Sequence, residues 1–203
     1  VAERDEVMWN TQKERVERVV QLTYDGLPID DTREPARPDR AAAELLAKQA
    51  LAAGIDRFVD RDALAQWRAR VALVARAAPE AGITAPTDDA LAEILARACE
   101  GAVSFTDLRQ NGLLALLDAS LGDKRPLVDR LAPTHLVLGD RRRRAPIHYE
   151  LDQAPWIASR MQDFFGRARA PTVGDGRIPL VLHLLAPNQR PVQVTTDLPG
   201  FWV

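Results

Sequence analysis

Four consecutive arginines, Arg141, Arg142, Arg143 and Arg144, are the densest charge feature of the chain and follow the turn signal Gly139-Asp140. Guanidinium forks match phosphate oxygens in pairs, so such a run beside a turn can grip a phosphodiester backbone without reading its sequence. The competing use of the same run is a solvated edge strand kept from mispairing by its charge. Arg177, after Gly174-Asp175-Gly176, and Arg190, within Pro187-Asn188-Gln189-Arg190-Pro191, complete the set of candidate nucleic-acid contacts. Charge is unevenly spread. Residues 132–203 hold nine Arg and no Lys against six acids, while the whole chain has a net charge of −2. Any phosphate-facing surface is therefore expected in the C-terminal part.

Other chemistries find little support. No Gly-x-x-x-x-Gly-Lys-Ser/Thr phosphate loop, Asp-Glu-x-His strand end or Gly-x-Gly-x-x-Gly turn occurs, so no nucleotide cofactor site and no ATP hydrolysis are expected of these residues. His135, His148 and His183 each sit in a strand pattern, without His or Cys at metal-ligand spacing, and read as ordinary strand histidines. The single cysteine, Cys99, lies in an apolar helical pattern and reads as a buried structural thiol, which fits a reducing cytoplasm. Ser159, His183 and Asp197 could be written as a hydrolytic triad, but no nucleophile-elbow pattern surrounds the serine, and no catalytic residue is assigned. Phe201-Trp202 reads as an apolar anchor rather than a base-stacking pair.

The elements that must position these residues follow from periodicity. With 46% hydrophobic residues drawn mostly from Ala, Leu and Val, and only 5% aromatics, the composition favours an α+β chain with thin cores. Alternation of Val16, Arg18, Val20, Leu22 and Tyr24 before Asp25-Gly26 predicts a strand entering a hairpin with Leu27 to Ile29, and residues 31–39 read as a loop. Helices are expected over 40–53, stopped by Gly54, over 61–78, from the cap Thr87 to Glu100, and from the cap Ser104 through Leu117. Beyond Pro133 come a hairpin, a short amphipathic helix from Pro155 to Gly166, strands over 178–186 and 192–195, and a last helix capped by Asp197. The organisation expected is 1–39 β-rich with a linker, 40–131 helical, and 132–203 α+β. No apolar run approaches the roughly 20 residues that span a bilayer, and neither end resembles a natural terminus: there is no initiating Met, and the last residues are Gly200-Phe201-Trp202-Val203.

Ordered blocks in the last seventy or so residues carry a resemblance: Ala132-Pro133-Thr134-His135, Tyr149, Arg160-Met161-Gln162-Asp163-Phe164-Phe165-Gly166, Gly176-Arg177-Ile178-Pro179-Leu180, Leu184-Leu185-Ala186-Pro187, Arg190-Pro191-Val192-Gln193-Val194-Thr195, then Asp197-Leu198 and Phe201-Trp202. Together they resemble the C-terminal region of bacterial HrpB-type ATP-dependent helicases, of the DEAH-like superfamily 2 RNA helicases. The resemblance implies that residues 1–39 end a preceding accessory module and that 132–203 form a helicase-tail domain truncated at its end. It also implies ATPase domains, with ATP and magnesium, upstream of these residues. The function expected is help in binding or positioning RNA or single-stranded DNA beside a helicase core in cis. The alternative is a protein-docking module that braces the core or recruits a partner.

Overall fold

In chain order the elements are β1 (Ala2–Asn10), β2 (Arg15–Tyr24), β3 (Leu27–Pro35), α1 (Arg40–Ala53), α2 (Arg61–Ala77), α3 (Asp88–Ala98), α4 (Phe105–Gln110), α5 (Leu113–Ala119), α6 (Arg125–Leu131), β4 (His135–Leu138), β5 (Arg143–His148), β6 (Trp156–Arg160), β7 (Thr172–Val173), β8 (Ile178–Pro179), β9 (Val181–Leu185), β10 (Pro191–Thr195) and α7 (Leu198–Phe201), an α+β set. This computed structural model describes residues 2–24, 27–139, 143–165, 167, 169–186, 188 and 190–201. The chain divides into two compact units, each drawn from two stretches: Val1–Arg61 with Thr87–Ser120, and Asp62–Pro86 with Leu121–Val203. The helices of 40–131 are thus shared, α1, α3, α4 and α5 accompanying the N-terminal strands, and α6 with nearly all of α2 the C-terminal ones.

In the first unit β1, β2 and β3 form an antiparallel meander. The expected loop over 31–39 is mostly strand: β3 continues to Pro35, pairing Thr32, Arg33 and Glu34 with Val20, Val19 and Arg18. Its charges are strand charges, since Arg18 bonds Asp5 of β1 at 2.5 Å and Glu34 of β3 at 3.1 Å, a cross-strand row spanning the sheet. Glu17 is nearly enclosed on β2, its carboxylate accepting from Asn10 Nδ2 at 2.9 Å, Arg15 Nη2 at 2.7 Å and Lys13 Nζ at 3.3 Å. The helices are set by caps and stripes. Asp39 caps α1 through Ala42 N, Gly54 ends it at φ 88°, and Ala42, Leu46 and Ala50 form its buried i, i+4 stripe. Thr87 caps α3, which buries Leu91, Ile94, Leu95 and Ala98 and packs on both α1 and α5. Cys99 is fully buried and donates to Leu95 O, and burial pushes its thiol up to about 11. The single helix expected from Ser104 through Leu117 is instead two. Gly112 turns into the left-handed region at φ 66°, and Asn111 Nδ2 is drawn to Ala98 O at 3.2 Å, which breaks the run between α4 and α5.

In the second unit a five-stranded sheet has the order β10-β9-β6-β5-β4, with β6 and β9 parallel and the other neighbours antiparallel; β7 and β8 pair separately. The amphipathic helix expected from Pro155 to Gly166 is replaced by strand β6 and one 3₁₀ turn, Met161–Phe164, Gly166 lying outside the described residues. Burial along β6 alternates with period two, Ile157 and Ser159 inward, because pairing with β5 and β9 uses both of its edges. A five-residue run carries too few turns for helical propensity to resist that.

Helix α2 is buried on more than one side, through Leu64, Trp67, Ala69, Arg70, Val71 and Val74 among others, and its polar side chains fasten the unit. Gln66 acts as a short surrogate strand: its Nε2 donates to Ile147 O at 2.6 Å and its Oε1 accepts from Tyr149 N at 2.8 Å. Arg70, buried, donates to Ala132 O at 2.8 Å and Asp129 Oδ1 at 2.9 Å, so its charge is compensated where α6 ends. The Tyr149 hydroxyl donates to Pro133 O at 2.7 Å, and burial raises its pKa well above the ordinary phenol range. Among the described residues no helix is long and apolar enough to cross a membrane.

Candidate nucleic-acid interface

Strand alternation gives the five-stranded sheet an inner and an outer face. Leu138, Ala145, Ile147, Ile157, Ser159, Leu182 and Leu184 point inward and are buried. The outer face follows from the register: Val137 lies across from Arg144, His135 from Pro146, His148 from Trp156, Ala158 from His183, Arg160 from Leu185 and His183 from Val194. These outer residues are half-buried or exposed.

Strand direction then sorts the arginines. β4, β6 and β9 run one way and β5 and β10 the other, so the start of β5, the end of β6 and the residue before β10 lie at one end of the sheet. Arg143 and Arg144, Arg160 and Arg190 are thereby brought to a common rim. Arg167 reaches the same end, its Nη2 donating to Val137 O at 3.3 Å. Among the described residues Asp163 is the acid of this rim. It accepts from Ser159 Oγ at 2.6 Å and lies 3.6 Å from Arg143 Nη1. An ion pair this long, with Arg143 half exposed, holds the guanidinium weakly and leaves it able to turn to a phosphate. Arg144 is exposed. Arg190 anchors its turn through its backbone, its carbonyl accepting from Ala186 N at 2.9 Å, and its side chain is exposed.

Two sequence candidates stand elsewhere or undescribed. Arg177 does not join the rim: its Nη1 donates at 2.6 Å to Ala77 O, the last residue of α2, where a cation complements the helix dipole. Arg141 and Arg142 lie outside the described residues. The paper triad is separated, because Ser159 faces inward, His183 faces outward, and Asp197 Oδ1 accepts from Gly200 N at the start of α7. Among the described residues no group of three or more His, Cys, Asp or Glu could hold a metal ion.

Sequence reasoning missed a ring ladder on the outer face. His148 of β5 stacks on Trp156 of β6 with ring centroids 3.9 Å apart, and Trp156 stacks on His183 of β9 at 4.5 Å, both at 13° between planes. Trp156 Nε1 donates to Glu150 Oε1 at 3.0 Å, which fixes the indole. Burial holds His148 below the ordinary imidazole range, with the nearby His183 acting in the same direction and Glu150 against it. The signal was present as parity: once residues 156–160 are a strand, Trp156 and Arg160 must share a face.

Comparison with known proteins bears on the family of the chain. The chain is 44% identical over 90 residues to the ATP-dependent RNA helicase HrpB of Escherichia coli (strain K12), a match covering 44% of this chain and 11% of that protein. Its structure is similar to the crystal structure of the E. coli DExH-box NTPase HrpB, with a TM-score of 0.75 and 28% identity over 99% of this chain and 25% of that one. A second crystal structure, of the E. coli DEAH/RHA helicase HrpB, matches with a TM-score of 0.69 and 28% identity over 100% of this chain and 26% of that one. The chain therefore spans about a quarter of the length of those solved structures, and its 90 matched residues cover 11% of the curated relative. Residues 94–203, more than half of the chain and reaching upstream of the blocks that carried the sequence resemblance, match the family described as ATP-dependent helicase C-terminal (HrpB_C), and the chain belongs to that family.

Proposed function

We propose that this chain is an accessory region of an ATP-dependent helicase that helps hold or position nucleic acid, while ATP and magnesium binding, hydrolysis and unwinding belong to parts of such a protein outside these residues. Family membership supports the helicase context. The observation that carries the role is the basic rim, where Arg143, Arg144, Arg160 and Arg190, distant in sequence, gather at one sheet end around a single described acid, Asp163. Backbone phosphates are the natural ligand of such a rim, since guanidinium contacts to them give affinity without sequence preference.

The test is anisotropy titration of a labelled RNA oligonucleotide at low and moderate salt, with the chain and its Arg143→Ala/Arg144→Ala variant. The variant is expected to bind more weakly, and its log-log salt slope to be shallower by roughly 0.7 for each guanidinium removed. Affinity that is absent, or unchanged by the substitutions, removes the proposal. A docking reading draws on a different observation, the edge strand β10 with Val192 and Val194 52% and 57% exposed. It predicts no change in oligonucleotide affinity on removing Arg143 and Arg144, so the same titration separates the two.

A further inference from the structure

The outer face of the C-terminal sheet has a composition that stability alone does not explain. The apolar burial of this sheet lies on the inner face, where Ile147, Ile157, Leu182 and Leu184 are fully enclosed. The outer positions carry instead three stacked rings, His148, Trp156 and His183, which line up because neighbouring strands hold side chains of one face about 5 Å apart. Four residues along the same strands stand Arg144 and Arg160, which at about 3.3 Å per residue puts the cations roughly 13 Å from the rings.

No outward position of the five strands is a carboxylate: His135 and Val137 on β4, Arg144, Pro146 and His148 on β5, Trp156, Ala158 and Arg160 on β6, Val181, His183 and Leu185 on β9, and Pro191 and Val194 on β10. Glu150, in the segment after β5, is the acid beside the ladder, and it is engaged by the Trp156 N–H. One face therefore offers cations at one end and π surfaces at the other, with no carboxylate among the described strand residues between them to repel a polyanion.

From this pairing we infer that the His148–Trp156–His183 ladder is the base-contacting half of the site, and that the face selects a single strand of nucleic acid over a duplex. The inference rests on the proposed role of the rim arginines and extends it to residues that role does not use. Both flat sides of the Trp156 indole are taken by imidazoles, so the surfaces open to a base are the outward flat faces of the two end rings and their N–H edges. An unpaired base can be splayed onto such surfaces while its phosphates meet Arg144 and Arg160. In a duplex the bases are already stacked and paired within the helix, and only its phosphates remain to be held.

The ladder and the rim make separable demands on one experiment. A twelve-nucleotide pyrimidine RNA and the same strand in duplex form are titrated against the chain, against His148→Ala/His183→Ala, against His148→Phe/His183→Phe, and against Arg143→Ala/Arg144→Ala, with circular dichroism checking that each is folded. The double Ala variant is expected to lose roughly tenfold in single-strand affinity while its duplex affinity and salt slope stay as in the parent. The double Phe variant, which keeps flat rings in place, is expected to retain the single-strand preference. The arginine variant is expected to weaken both ligands alike. Unchanged single-strand affinity in the double Ala variant overturns the ladder while leaving the arginine rim standing, and a Phe variant as weak as the Ala variant overturns stacking as the mechanism. If neither the ladder nor the arginine variants alter binding, both readings fall together.

Discussion

Gln66 offers the sharpest test of how the interface is held in place. β5 carries Arg143, Arg144 and His148, yet it pairs with β6 through only two registered residues, Ile147 with Ile157 and His148 with Trp156. The Gln66 amide brackets that short join from α2, donating to Ile147 O at 2.6 Å and accepting from Tyr149 N at 2.8 Å. Gln66→Ala removes both bonds and leaves the Ile147 carbonyl on β5 and the Tyr149 amide just after it without those partners. A hydrogen bond nets about 0.5–1.5 kcal/mol, and a donor or acceptor stranded in a buried place costs about 1–3 kcal/mol. Water can reach part of this half-buried site, and freeing the Gln side chain returns some entropy, so we expect a net loss of about 2 kcal/mol. For a chain of this size that corresponds to a melting temperature lower by about 4–8 °C. Gln66→Glu is the informative control, because it keeps an acceptor for Tyr149 N but replaces the donor to Ile147 O with a second oxygen, and it is expected to cost at least as much. Thermal unfolding by circular dichroism gives the stability, and hydrogen exchange at the Tyr149 amide reports the clasp itself. If Gln66→Ala is within about 0.5 kcal/mol of the parent and the Tyr149 amide stays equally protected, the clasp does not hold β5 and strand pairing alone does.

Two further perturbations test other joints. Glu17 has a carboxyl held down to about 2 from an ordinary 4.5, first by the Asn10 bond and then by Arg15 and Lys13, so its contribution is fully present above the ordinary carboxylate range and is lost as pH falls towards 2. Allowing for the solvent around Lys13, that contribution is roughly 2–3 kcal/mol. Urea midpoints measured between pH 5 and 2 should therefore fall less steeply for Glu17→Gln than for the parent, and parallel curves would contradict the assignment. Tyr149→Phe deletes the donor to Pro133 O while keeping the ring, and is expected to lower stability by about 1 kcal/mol. An unchanged melting temperature would show that the bond is made equally well with water.

What could be read ahead of the structure, and what could not, divides along the range of the interactions. Helix ends were legible because their causes are local: Gly54 reaching the φ of 88° that ends α1, the Thr87 hydroxyl on Ala90 N, the Ser104 hydroxyl on Asp107 N. The hairpin between β2 and β3 was legible for the same reason. The length of β3 was not, because its charged residues become strand residues only when Arg18 of the neighbouring strand is there to pair with them. β6 was the costliest misreading. Trp156 to Arg160 has a pattern compatible with a helix over so short a window, and it is a strand because β5 and β9 lie on its two sides. The interface depends on that strand more than on any other. Arg143, Arg144 and Arg190 were visible as charges, but their convergence with Arg160 requires the order β10-β9-β6-β5-β4 and the parallel pairing of β6 with β9. Were β6 antiparallel to β9, Arg160 would close the opposite end from Arg190 and the rim would be split. The same pairing carries Trp156 between His148 and His183. Local patterns encode where the chain stiffens and turns, whereas the site is a property of which strand lies beside which, and in which direction.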